Sequence, residues 1–205
     1  LQMMQAEPLI ARLAAEGEGM TFGITILLLA MQNPIIVAEN AASLDWITNG
    51  NYVLGVGLGY RPEEFEALGV KFEQRVSRFE EAIPLIRRLW NEKSVTHHGQ
   101  HFNVSGLGAS IKPKRAGGPP IWVGGDVIAA VQRAAKLNCP WIAPPTMTFH
   151  EIAERVEVYR KTSAEISGNS VNEQPIIREV AIGKTKADAL RAARPALLSK
   201  YEAYA

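Results

Sequence analysis

The sequence predicts an α/β protein built on a parallel sheet, and three observations predict it. Apolar segments of strand length alternate with amphipathic segments of helix length about five times along the 205 residues. The strand segments are nearly continuous in apolar residues, as strands buried on both faces are. Glycines gather where two of those segments turn towards a helix, at Gly55, Gly57 and Gly59 and again at Gly124 and Gly125. Strand–helix–strand order gives parallel pairing through right-handed crossovers. Two architectures meet that order, a doubly wound open sheet and a (β/α)8 barrel. About five strands do not close an eight-stranded barrel, so on the barrel reading the missing strands lie outside this sequence.

Each element follows from its own pattern. Leu1 to Glu16 reads as a helix with Met3, Met4, Leu9, Ile10 and Leu13 on one face, ended by Gly17 and Gly19. Thr21 to Ala30 reads as a strand buried on both sides. Asn33-Pro34 opens a helix that runs to about Trp46, with proline in its first turn. Thr48 to Asn51 is a turn, and Tyr52 to Gly57 is the next buried strand. Arg75 to Trp90 is an amphipathic helix carrying Phe79, Ile83, Ile86 and Trp90, with a kink expected at Pro84. Val95 to Val104 reads as a hairpin around Gly99, and Ser105 to Pro120 as a loop. There follow a strand (Ile121–Val123), a helix (Val127–Leu137), a strand (Trp141–Ala143), a helix (His150–Ile166), a strand (Ile176–Ile182) and a helix (Lys186–Tyr204).

Composition removes several function classes. A net charge of +1 with interspersed signs gives no basic face for nucleic acid. The longest apolar run, Ile24 to Met31, is far short of the roughly 20 residues of a membrane helix. Glu7, Arg12, Glu16 and Glu18 break up any signal-peptide pattern, and with the single cysteine, Cys139, the reading is a cytoplasmic protein. The chain also opens on Leu1 in what reads as mid-helix, the pattern of a piece of a longer protein.

Candidate site residues cluster where ligands bind in parallel α/β folds, at the C-terminal ends of strands. The glycines at 55, 57 and 59 leave one strand face bare, either for a flat ring or for close packing of a neighbouring strand. They are not a dinucleotide fingerprint, because Tyr60 stands where its third glycine belongs. Gly124-Gly125-Asp126 follows a strand and opens a helix, so its free N–H groups suit an anion such as a cofactor phosphate. Alternatively Asp126 is simply that helix's N-cap. Asn33 either bonds a ring edge or caps its own helix, and Arg61 either faces a ligand or belongs to a first-turn charge pattern with Glu63 and Glu64. His97, His98 and His101 read as a solvated hairpin and not as metal ligands, since alternation sends His97 and His98 to opposite faces. No catalytic acid or base is legible.

The segments LDWITNGNYVLGVGLGYRPEEFEALGVKFEQR, RFEEAIPLIRRLW and PPIWVGG with the following VIAAVQRAAKLNCPW resemble the luciferase-like monooxygenases, over nearly the whole chain and in the expected order. The resemblance implies a TIM-like (β/α)8 barrel, with residues 1–205 forming a single domain incomplete at both ends. It implies non-covalent FMN, or alternatively the deazaflavin F420. By position it places Gly57, Leu58, Gly59 and Tyr60 near the cofactor and Gly124, Gly125 and Asp126 at the phosphate-side loop. Asp126 departs from the serine or threonine common in relatives, and Asn49-Gly50-Asn51 departs from their Gly-Gly-Arg turn. The activity implied is a monooxygenase using reduced FMN and oxygen on a small organic substrate, with a flavin reductase as a partner. Hydride transfer with F420 is the alternative, and a non-catalytic flavin-binding relative is a reading of another class. The apolar helices leave room for a homodimer.

Overall fold

The computed structural model describes residues 4–167 and 173–202. Helix α1 (Ala6–Ala14) leads into strand β1 (Phe22–Leu28) and a short 3-10 turn (Leu29–Met31). Helix α2 (Pro34–Ile47) and strand β2 (Tyr52–Gly57) follow. Then come α3 (Pro62–Ala67), α4 (Arg75–Asn91), the hairpin strands β3 (Val95–His98) and β4 (Asn103–Leu107), β5 (Ile121–Gly124), α5 (Ile128–Lys136), β6 (Trp141–Ile142), α6 (Phe149–Ser167) and α7 (Lys186–Glu202).

Strands β1, β2, β5 and β6 form one sheet in that order, and every neighbouring pair is parallel. The order never reverses. A doubly wound sheet reverses at its switch point, whereas a one-way order with right-handed crossovers keeps all helices on one side. The four strands are therefore an arc of a barrel. Alternation assigns the two faces. Leu54, Val56, Val123 and Trp141 point to the helical side and are buried there. Gly55, Gly57, Trp122, Gly124 and Ile142 occupy the opposite, inner face.

The core lies between the sheet and its helices. Helix α4 supplies Phe79, Ile83, Leu85, Ile86, Leu89 and Trp90, all buried, and runs unbroken through Pro84. The Trp90 indole N–H donates to the Ala38 carbonyl at 2.9 Å, which fixes α4 against α2. The Tyr159 hydroxyl likewise donates to the Cys139 carbonyl at 2.8 Å and docks α6 under β6.

Several expectations are corrected. The first helix begins at Ala6, so Met4 precedes it and is exposed, while Met3 lies outside the described residues. The strand expected over 21–30 is shorter and is not buried on both sides, because among the described residues it pairs only with β2. The strand expected over Ile176–Ile182 is reduced to a single parallel bridge between Ala143 and Ile176. Val180 and Ile182 are exposed, and no residue of α7 is buried among the described residues. Asp126 does not cap α5: Val127 holds the N-cap position.

Candidate functional site

The parallel sheet brings Asn33, the Gly57–Tyr60 segment and the Gly124–Asp126 segment to one edge. The two glycine segments begin at the last residues of β2 and β5, Asn33 follows β1 after the 3-10 turn, and β1, β2 and β5 are neighbours in that order. Adjacent strands stand about 4.8 Å apart, so the three strand ends span roughly 10 Å.

On the inner face, Ile26 of β1 lies over both glycine positions. A Cβ on Gly57 would collide with Ile26 Cδ1, and one on Gly124 would stand 3.1 Å from Ile26 Cγ2. Ile26 reaches this place because the β1–β2 register shifts between Ile24 and Leu27. At Gly55 a Cβ would strike the Ile24 carbonyl oxygen, so the backbone of β1 itself approaches there. Gly59 has a φ of 82° and sits against Phe65 and Met31. Leu58 is half-buried, while Tyr60 is exposed with the Arg61 guanidinium 5.4 Å from its ring centroid. Arg61 also pairs with Glu64 at 3.6 Å, within the first turn of α3. Asn33 accepts from the Ile35 N–H at 2.9 Å, so its side-chain oxygen caps α2.

The second segment is a tight loop. Gly125 has a φ of 148°, and a Cβ there would collide with the Ala130 side chain. Its carbonyl accepts a hydrogen bond from the Trp141 indole N–H at 2.7 Å. The next carbonyl, that of Asp126, accepts from Arg155 Nε at 3.2 Å. Among the described residues no acceptor meets the N–H of Asp126 or of Val127. Trp122 on the inner face carries a buried indole N–H with no partner among the described residues.

A cavity of about 600 Å³ runs along the free edge of β1, lined by Leu9, Leu13, Ile24, Ile26, Met31 and Leu68 among others. Neither glycine segment lines it, but Ile26 does, so this residue connects the cavity to Gly57 and Gly124.

Two of the three hairpin histidines, His97 and His101, have side-chain partners. Glu81 accepts from the backbone N–H groups of His101 and Phe102 and meets His97 Nε2, each at 2.9 Å. Partial burial pushes the Glu81 carboxyl up, but His97 and the two N–H donors outweigh it and leave its pKa lowered. His101 Nε2 meets Ser77 Oγ at 2.7 Å. Cys139 is fully buried against Arg87, whose Nη2 stands 3.1 Å from its sulfur. Burial drives the thiol pKa up to about 11, against the lowering effect of Arg87.

Sequence reasoning missed Ile26, Trp141 and Arg155. Ile26 reads as one more apolar strand residue, and its placement depends on an irregularity in register. Arg155 lies 29 positions from Asp126 in a helix with charges all along it.

The sequence model of the family described as Luciferase-like monooxygenase matches residues 4–205. A Mycobacterium kansasii phthiodiolone/phenolphthiodiolone dimycocerosates ketoreductase is 28% identical over 169 residues, covering 81% of this chain and 46% of that protein. Among solved structures, the oxygenating constituent of a Pseudomonas putida 3,6-diketocamphane monooxygenase, in complex with FMN, superposes with a TM-score of 0.80 at 20% identity, covering 93% of this chain and 57% of that one. An F420-dependent secondary alcohol dehydrogenase in complex with an F420-acetone adduct gives 0.79 at 20% identity, covering 94% and 59%. The chain spans about half the length of the curated relatives it matches. The one-way parallel arc is part of a TIM-like (β/α)8 barrel, and the chain belongs to the luciferase-like monooxygenase family.

Proposed function

We propose that this chain carries part of the cofactor site of an oxidoreductase that uses reduced FMN and oxygen on a small organic substrate. The observation that carries the reading is the meeting of three loops at the C-terminal ends of β1, β2 and β5, with two different chemistries side by side. One is apolar and flat: Gly57 and Gly124, without side chains of their own, under Ile26. The other is an array of N–H groups at the start of α5 with no acceptor among the described residues, where the helix dipole favours an anion.

These residues fit a flavin-type group. Gly57, Leu58, Gly59 and Tyr60 would border the ring system, with Ile26 as an apolar surface beneath it. The buried Trp122 N–H is a donor on the same inner face. Gly124, Gly125 and Asp126 would receive the phosphate through backbone N–H groups. The exposed Asp126 carboxylate must then point away from that anion, and its exposure permits this. Asn33, committed through its oxygen to the α2 cap, would offer only its amide N–H2. The cofactor supplies the redox chemistry. The chain's part is to bind and orient it and to exclude water.

A second reading has one observation in its favour. The sequence relative named above is a ketoreductase, which suits hydride transfer with F420 without oxygen. Titration of the protein with FMN and with F420, each followed by cofactor fluorescence, separates the readings. Selective FMN binding, with oxygen uptake once the flavin is reduced by a separate reductase, supports the monooxygenase. Selective F420 binding replaces it with deazaflavin hydride transfer. Binding of neither overturns both.

A further inference from the structure

We infer that Trp141 and Arg155 are a positioning pair that sets the anion-binding geometry of the Gly124–Asp126 loop. This rests on the reading that the loop receives the cofactor's phosphate. In a planar trans peptide the carbonyl and the following N–H point in opposite directions. The Trp141 indole holds the Gly125 carbonyl at 2.7 Å, which turns the Asp126 N–H to the opposite side. Arg155 Nε holds the next carbonyl at 3.2 Å, which does the same for the Val127 N–H. Both of these N–H groups lack an acceptor among the described residues. Two donors from outside the loop thus draw successive carbonyls away and leave successive N–H groups free.

The two tethers have different origins. Trp141 is fully buried on the neighbouring strand β6, so its indole cannot follow a moving loop. Arg155 comes from α6 and is half-buried. Its guanidinium places a positive charge behind an anion site whose own loop carries the Asp126 carboxylate. Glu151 also faces Arg155. Its carboxyl is held low first by the Thr148 N–H and hydroxyl, and Arg155 adds to that effect. Among the described residues no hydrogen bond or ion pair engages the two terminal nitrogens of Arg155.

The test compares each phosphorylated cofactor with its phosphate-free counterpart, FMN with riboflavin and F420 with its deazaflavin core, by fluorescence titration of the wild type, Trp141→Phe, Arg155→Gln and Arg155→Lys. The wild type is expected to prefer the phosphorylated form. Trp141→Phe and Arg155→Gln each reduce that preference by about fivefold, the value of one lost hydrogen bond, and leave affinity for the phosphate-free form unchanged. Arg155→Lys keeps the charge and retains part of the preference. Arg155→Gln, on a helix surface, remains folded, so the test survives a destabilised Trp141→Phe. A full preference in folded Trp141→Phe and Arg155→Gln overturns the inference. A wild type that binds both forms equally overturns the phosphate reading itself, a distinct outcome.

Discussion

The side chain of Ile26 occupies the space into which a Cβ on Gly57 would project. Two adjacent strands are therefore matched there, one bulging and the other bare. Gly57→Val forces Ile26 out of its seat, and overpacking of this kind costs about 1–3 kcal/mol. Ile26→Ala removes the collision, so the double variant is expected to be more stable than the sum of its parts. Urea unfolding of the four proteins in the cycle measures the coupling. Strict additivity would mean that the two side chains do not compete for one space.

Helix α4 is expected to tolerate changes on its outer face but not at its buried positions. Phe79→Ala removes a fully buried ring and is expected to cost about 3–5 kcal/mol. Trp90→Phe is expected to cost less, chiefly the indole bond to Ala38. Chemical denaturation of both gives the comparison, and a smaller loss for Phe79→Ala than for Trp90→Phe would contradict the packing described.

Glu81 ties the β3–β4 hairpin to α4, and its carboxyl is held below its ordinary value. A group lowered on folding contributes stability that is complete above its unfolded pKa. That contribution fades as pH falls through the folded pKa, below about 4.5 here. Glu81→Gln is expected to lose about 2 kcal/mol at neutral pH. The gap between the two proteins should close on acidification. Melting curves over a pH series decide it, and a gap that widens in acid would exclude Glu81 as the source.

Cys139 is expected to be inert in the folded protein. With its thiol raised to about 11 it remains protonated near neutral pH, and burial denies reagents access. Labelling with a disulfide reagent should therefore proceed only as fast as the protein opens. Rapid labelling under native conditions would contradict that burial.

The parts of the fold that were legible are those whose burial follows from local pattern. The Tyr52–Gly57 strand and the Arg75–Trp90 helix are packed on the faces their sequences indicate. Illegible parts depend on neighbours. Thr21–Ala30 and Ile176–Ile182 have similar apolar content to the inner strands, yet one lies at a sheet edge and the other makes a single bridge. The site divides in the same way. Glycines at strand ends are visible in a sequence. The residue that lies upon them is set by a register shift in another strand, and the donors that turn the Gly125 and Asp126 carbonyls come from β6 and α6.

Strands β3 and β4 form a sheet of their own, with no ladder to the four-stranded arc among the described residues. At residues 99–102 the hairpin tip is fastened to α4 largely by side chains of Glu81 and Ser77. Insertions or exchanges of sequence at the tip consequently leave the arc's backbone pairing untouched, so long as those two anchors keep their partners. The tip at residues 99–102 is thus a place where this scaffold can acquire new surface without rebuilding its barrel.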